Sequence, residues 1–194
     1  GVIIAFETAL VAQIFGAVIF VVNGIGIAMT RELGPLMTAI LFAGRSGSAF
    51  AAQLGTQKVN EELNALTTFG LSPMYFLVVP RLIASSLVVP LLSVFATILG
   101  ILGGGLVMAM YDITYTQFYV QLLKSVTVTD IVFGLVKAVI FGFVIALIGC
   151  QCGMNTGAGA AAVGSSTTKS VVKSIIWIVV IDGAAALLTN RLGI

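Results

Sequence analysis

The sequence predicts an all-α membrane protein, and its composition carries that prediction. Of the 194 residues, 59% are hydrophobic and 8% are charged, whereas about a quarter of the residues in a soluble domain are charged. A soluble domain with so few polar residues would be unable to cover its outer surface with polar groups. The 22 glycines suit helices that pack closely in lipid. The composition therefore does not fit a soluble enzyme, a nucleic-acid-binding module or a disordered tail.

Apolar stretches divide the chain into helices that are long enough to cross a bilayer, which takes about 20 residues each. At the start we expect the tail of one spanning helix, a tight turn near residues 15–22 and a second spanning helix that reaches Gly55. Three further apolar segments are residues 73–110, 131–149 and 171–188. The sequence thus predicts four complete crossings and the end of another, in a single transmembrane domain over residues 1–194.

Three polar intervals connect the spanning segments, at residues 56–72, 111–129 and 151–170. The first and third intervals, with their flanks, carry four basic residues, Lys58, Arg81, Lys169 and Lys173. The second interval carries Lys124 against Asp112 and the nearby Asp130. Because basic residues concentrate on the cytoplasmic side of membrane proteins, we expect the first and third intervals to be cytoplasmic.

The first polar interval has the pattern of a short amphipathic helix outside the membrane. Asn60 is a good N-cap, and Glu61 and Glu62 place negative charge on the first turn, where the helix dipole favours it. Apolar residues recur at helical spacing at Leu63, Leu66 and Phe69. A helix with two acids and one nearby base, Lys58, is poorly suited to anionic lipid. We therefore expect it to dock a cytoplasmic partner protein.

Several charged residues lie inside or beside the spanning segments. They are Glu7, Arg31, Glu32, Arg45, Lys137 and Asp182. A lysine or arginine at the centre of a spanning helix costs about 2.5–3.5 kcal/mol, so such groups usually face a cavity or one another. One interpretation is a set of ion pairs that fixes the register of the helices. The other is the polar lining of a path for a substrate with a charged head and apolar tails.

The usual arrangements of catalytic and metal-binding residues are missing. The chain has no histidine and two cysteines, Cys150 and Cys152, which cannot alone complete a tetrahedral zinc site. Without histidine there is no Ser-His or Cys-His pair for nucleophilic catalysis. We therefore expect no catalytic residue, metal site or cofactor in this chain.

The Arg-Glu-Leu-Gly-Pro run at residues 31–35 and the Ala-Gly-Arg-Ser-Gly run at 43–47 resemble the MlaE (YrbE) family of ABC-transporter permeases. Further similar blocks cover essentially the whole chain, at residues 51–56, 58–66, 79–82, 134–137, 148–150 and 163–172. The resemblance implies about five transmembrane helices, the first of them truncated here, with an interfacial helix missing before it. It also implies a short coupling helix between spans two and three.

The same resemblance implies a function and a set of partners. Permeases of this family form homodimers in the bacterial inner membrane and pair with a cytoplasmic ABC ATPase, which binds ATP and magnesium. A periplasmic MCE-domain protein and, in some systems, a STAS-domain protein complete the complex. Such complexes move phospholipid or a related lipid between the inner and outer membranes and maintain outer-membrane lipid asymmetry.

The resemblance implies two sets of functional residues. Arg31, Glu32, Lys137 and Lys169 are similar to the polar residues of the lipid cavity, where we expect Glu32 and Asp182 to restrain the bases. Contacts to the ATPase are expected from the coupling helix and its flank, through Lys58, Glu61, Glu62, Leu63 and Leu66. The alternative is a self-sufficient channel or secondary transporter for a small ion or solute, which favours internal repeats; no convincing repeat is found.

Overall fold

The computed structural model describes residues 1–14 and 16–192, and this part of the chain folds into helices without any β-strand. The helices are α1 (Val2–Ile14), α2 (Ile19–Val59), α3 (Glu62–Thr68), α4 (Met74–Ala109), α5 (Tyr115–Ser125), α6 (Val128–Met154) and α7 (Ala160–Leu192). Within the described ranges, α2, α4, α6 and α7 are long and apolar enough to cross a bilayer, and α1 is a shorter apolar helix. The predicted all-α membrane fold is therefore confirmed. Phe15, where the predicted turn begins, lies outside the described residues.

Helices α2 and α4 contain wide, π-helical stretches in which an N–H donates to the carbonyl five residues earlier. They are Met29–Leu33, Ala43–Gly47 and Met74–Val78. Pro35 and Pro80 each follow such a stretch by two residues. A proline ring clashes with the carbonyl four residues before it, and the wider turn makes room for the ring. Two of these three stretches therefore follow directly from the positions of prolines in the sequence.

The polar intervals are more helical than predicted. Helix α6 continues to Met154 and α7 begins at Ala160, so the loop predicted at 151–170 is reduced to residues 155–159. The interval predicted at 111–129 contains α5, whose N-terminus carries a capping box formed by Thr114 and Gln117. Polar residues outside the bilayer continue a helix readily because a helix satisfies its own backbone hydrogen bonds.

Helix α3 forms where the sequence predicts it, but Asn60 is not its N-cap. The Asn60 N–H donates to Thr56 O (3.0 Å), so Asn60 ends α2. The N-cap of α3 is Glu61, which adopts a left-handed backbone with φ 63°. Asn60 therefore belongs to the C-terminus of α2, and the left-handed residue Glu61 separates the two helices.

The chain divides into two compact units. The first unit comprises residues 1–37 and 91–136. Its core lies between α1, the first turns of α2, the end of α4 and α5, and includes Val22, Ile25, Met108 and Phe118. Gln121 of α5 donates a hydrogen bond to Asn23 Oδ1 (2.9 Å). The amphipathic helix α5 is thus tied into this core.

The second unit comprises residues 38–90 and the chain from residue 137 onward. Helix α6 approaches α2 very closely in it, since a Cβ added at Gly149 would lie 2.7 Å from Gly47 O. The Ser170 hydroxyl of α7 donates to the same carbonyl oxygen (3.3 Å). Small residues thus let three helices meet at Gly47, as in other helix bundles packed in lipid.

We expect Gly149→Ala to destabilise the protein by about 1–3 kcal/mol, because its methyl group would press on the Gly47 carbonyl. The matched control is Gly164→Ala in α7, where no atom lies within 4 Å of the added Cβ. Thermal unfolding in detergent can be followed with a thiol-reactive dye, since Cys150 and Cys152 are both free and buried. An equal melting temperature for the two variants would contradict the close approach of α6 and α2.

Candidate functional site

Lys137 and Asp182 form a buried ion pair in the second unit. Lys137 lies in α6 with 2% of its side chain exposed, and its Nζ is 2.8 Å from Asp182 Oδ1 of α7. The Asp182 side chain is 21% exposed. Within a spanning segment the ammonium ion could not be held without such a counter-charge, because water is not available to solvate it. The pair therefore joins α6 to α7, with the carboxylate on the more accessible side.

Arg31 forms the corresponding pair in the first unit, with Asp130. Its Nη1 lies 3.4 Å from Asp130 Oδ1, and the two side chains are 17% and 10% exposed. The guanidinium also lies over the ring of Phe133, 5.1 Å from its centroid, within the range of a cation–π interaction. Two residues at the start of α6 thus hold the Arg31 side chain.

Asp130 is the main participant that the sequence prediction missed. It was expected outside the membrane, because the span was predicted to start at residue 131, and Glu32 and Asp182 were expected to restrain the bases. The sequence feature that could have identified Asp130 is the capping box that Thr127 and Asp130 form at the start of α6. Asp130 Oδ2 accepts hydrogen bonds from the Thr127 N–H (3.0 Å) and the Thr127 hydroxyl (2.6 Å). These bonds fix the carboxylate that faces Arg31. Glu32 lies half-buried in the same π-helical stretch as Arg31.

Two glycines allow other helices to approach the π-helical stretch that carries Arg31. A Cβ at Gly134 of α6 would collide with Thr30 O, so the α6 backbone lies directly against this stretch. A Cβ at Gly34 would collide with the hydroxyl of Thr97, which donates to Met29 O (3.3 Å). The stretch that carries Arg31 is therefore held by a backbone contact from α6 and by the Thr97 side chain of α4.

Two apolar cavities lie in the first unit, close in sequence to Arg31. A cleft of ≈840 Å³ runs between α1 and the first turns of α2 and ends at Ala28. Glu7 is the charged residue in its lining. A second cavity of ≈290 Å³ lies between α2, α4, α5 and α6 and is lined by Thr30 together with residues such as Ile98 and Leu122. Both are lined mainly by hydrocarbon groups, so they suit apolar chains.

Lys169 is not brought together with the buried pair of its unit. Lys169 and Asp182 both lie in α7 and are about 20 Å apart along its axis at 1.5 Å per residue. Lys169 is exposed and lines a small polar pocket beside the end of α6. The five polar residues expected in one cavity thus occupy different places in the two units.

The residues expected to contact an ATPase have different exposures. Leu63 is buried and Leu66 is half-buried, so both anchor α3 to its own chain, while Glu61 and Glu62 are exposed. Lys58 Nζ donates to Met154 O (2.8 Å) and so satisfies a carbonyl at the end of α6. Phe69 directly follows α3 with 80% of its surface exposed. The sequence places Phe69 at helical spacing with Leu63 and Leu66, but Phe69 is the C-cap that follows the last residue of the helix.

Arg45 is exposed in the π-helical stretch Ala43–Gly47 of α2, within a spanning helix.

In the described part of the chain, no cluster of three or more His, Cys, Asp or Glu side chains is arranged to hold a metal ion. The charged side chains that the spanning helices do bring together are therefore cation–carboxylate pairs.

The chain is similar to proteins from bacteria and plants. The family model described as Permease MlaE matches residues 1–188. A Synechocystis protein named "Probable ABC transporter permease protein" is 38% identical over 179 residues, which are 92% of this chain and 68% of that protein. A similarly named Rickettsia typhi protein is 35% identical over 182 residues, or 93% and 70% of the two chains. The Arabidopsis thaliana protein TRIGALACTOSYLDIACYLGLYCEROL 1, chloroplastic, is 38% identical over 159 residues, or 81% and 45%.

We expect Asp182→Asn to lower the free energy of unfolding by about 3–5 kcal/mol, because it removes the carboxylate charge beside buried Lys137. Adding Lys137→Met to this variant removes the buried cation as well and should recover part of the loss. Melting temperatures of the wild type, the two single variants and the double variant form a thermodynamic cycle. Purely additive effects would show that the two side chains are not coupled.

Proposed function

The chain belongs to the MlaE permease family, and on that basis we propose that it is the membrane-spanning subunit of an ABC transporter that moves phospholipid or a related lipid. The supporting observation is the Arg31–Asp130 pair, which lies in the same unit as two apolar cavities. Thr30 lines one cavity and Ala28 ends the other. A cation in the same unit as hydrocarbon-lined cavities suits a molecule with an anionic head and apolar tails.

The ion pairs keep the cations neutralised until a lipid head arrives. A phosphate oxygen binds a guanidinium as well as a carboxylate does, so it can replace Asp130 at Arg31. Lys137 offers a point charge whose partner, Asp182, is the more exposed member of that pair. In this proposal each carboxylate holds its cation in place and gives it up to the passing phosphate.

The apolar tails would occupy the cleft between α1 and α2 and the cavity lined by Ile98 and Leu122. The name of the Arabidopsis relative contains that of a galactosyl diacylglycerol, which is a glycolipid. That name supports a lipid as the cargo. Transport of lipid between the inner and outer membranes, which maintains outer-membrane asymmetry, is the role that this proposal assigns.

Energy for transport would come from a partner. The relatives named ABC transporter permeases support pairing with a cytoplasmic ATPase. In this proposal the ATPase binds ATP and magnesium, and this chain does not. The exposed surface of α3, with Glu61, Glu62 and the adjoining Phe69, is the proposed docking surface. Leu63 and Leu66 would support it from beneath.

The complete transporter is proposed to contain two copies of this chain in the bacterial inner membrane, with a periplasmic MCE-domain protein and, in some systems, a STAS-domain protein. Arg45 supports a protein neighbour. It is exposed in a spanning helix, where contact with hydrocarbon would cost about 2.5–3.5 kcal/mol. A second subunit or a water-filled path between subunits would remove that cost.

Exchanging the buried pair, Lys137→Asp with Asp182→Lys, tests the handling of the lipid head. The exchanged protein keeps an ion pair between α6 and α7 but moves the cation to the other helix. We expect it to assemble with its ATPase and to lose lipid transfer about tenfold or more. Rescue of detergent sensitivity in a deletion strain measures transfer, with Lys137→Arg as the control that keeps the cation in place. Full rescue by the exchanged pair would show that the pair only fixes the register of the two helices and does not handle the lipid head.

Reversing the charges on α3, with Glu61→Lys and Glu62→Lys, should reduce copurification of the ATPase about tenfold. The new positive charges would be repelled by a partner surface that is complementary to the two glutamates. The control is Asp112→Lys, which reverses an exposed acid in the polar interval on the other predicted side. Asp112 also matches Glu61 in its left-handed backbone, with φ 61° against 63°. Unchanged recovery of the ATPase would indicate that α3 lies on lipid instead.

A further inference from the structure

A polar pocket of ≈210 Å³ lies within the second unit, between the end of α6 and the first half of α7. Its lining residues are Gln151, Cys152, Asn155, Ser166, Lys169 and Lys173. It lies beside the loop at residues 155–159, on the side of the chain predicted to be cytoplasmic. The volume is several times the roughly 30 Å³ of a water molecule, so it admits a polyatomic ion.

The pocket carries two positive charges without a matching acid. Lys169 and Lys173 are one helical turn apart on α7, so their ammonium groups face the same space. Among the described residues neither lysine forms an ion pair or a side-chain hydrogen bond. In contrast, Lys58 nearby already donates to Met154 O, and Lys137 is paired with Asp182. None of the acidic residues of this unit lines the pocket.

The remaining polar groups of the pocket add neutral donors. The side-chain amides of Gln151 and Asn155 each offer two N–H groups. Ser166 adds a hydroxyl group to the lining, and its Oγ lies 2.9 Å from the Thr156 hydroxyl oxygen. The α6 C-terminus contributes partial negative charge, but Lys58 offsets it at Met154 O. Donors and positive charge therefore dominate the pocket.

We propose that this pocket binds a phosphate group, supplied either by the head of an anionic lipid in the cytoplasmic leaflet or by soluble phosphate. Two ammonium groups match its charge, and the amide and hydroxyl donors match its remaining oxygens. The site gives Lys169 a role apart from the buried pairs. It does not depend on the proposed function, because binding here is separable from transport.

The test is acylation of lysines by an N-hydroxysuccinimide ester, measured residue by residue with mass spectrometry on the purified complex in lipid nanodiscs. One arm compares phosphatidylcholine nanodiscs with nanodiscs that also contain phosphatidylglycerol. The other adds inorganic phosphate to phosphatidylcholine nanodiscs at constant ionic strength. We expect at least one ligand to slow acylation of Lys169 and Lys173 about tenfold, while Lys124, an exposed lysine on α5, reacts at an unchanged rate.

A variant with Gln151→Leu and Asn155→Leu distinguishes a specific binding site, in which the amides contribute, from general attraction of anions to lysine. Both residues are exposed, so the fold should persist, and protection of the two lysines should fall several-fold. The matched control is Gln13→Leu, an exposed glutamine on α1. Protection by phosphatidylglycerol alone assigns the lipid head, and protection by inorganic phosphate assigns the free ion. Equal rates in all samples, or equal slowing of Lys124, would overturn the site.

Discussion

The bilayer does not solvate charge, and most of this structure follows from that constraint. Lys137 and Arg31 lie in spanning helices, and each has a carboxylate beside it, from Asp182 and Asp130 respectively. Each pair joins segments far apart in the chain, so charge neutralisation and helix packing depend on each other. At Gly134, α6 lies against the backbone of Thr30, and Asp130 of the same helix reaches the neighbouring Arg31.

The position of Arg31 shows how a local sequence feature becomes part of a site. Pro35 favours a wide turn before it, and Arg31 lies in that turn. Gly134 lets α6 approach the same turn, which brings Asp130 and Phe133 to the guanidinium. A π-helical turn is frequent at functional sites because it redirects side chains out of the regular helical pattern. In the proposed function, Asp130 is the partner of this cation that a lipid phosphate would replace.

Two kinds of basic residue now have different proposed tasks. Arg31 and Lys137 in the spanning helices are paired with carboxylates, so in the proposed function a lipid head would replace one anion with another. Lys169 and Lys173 lie at the predicted cytoplasmic end, where water tolerates unpaired charge, and they share a pocket with neutral donors. The docking surface proposed on α3 carries Glu61 and Glu62, which do not line that pocket. The proposed sites for partner binding, anion binding and passage of the lipid head thus involve different residues.

The sequence by itself determined the membrane class, the four crossings, the short helix α3 and the family, because each depends on composition, apolar length or local motifs. It also identified the charged residues in the spans. Their partners were decided only by the tertiary structure, because an ion pair such as Arg31 with Asp130 joins residues 99 positions apart. The periodic patterns of apolar residues in α2 and α6 do not predict which face of one helix contacts the other. The contacting faces are those whose glycines let the two backbones come close together. This depends on both helices once they are packed, so it cannot be read from either segment alone.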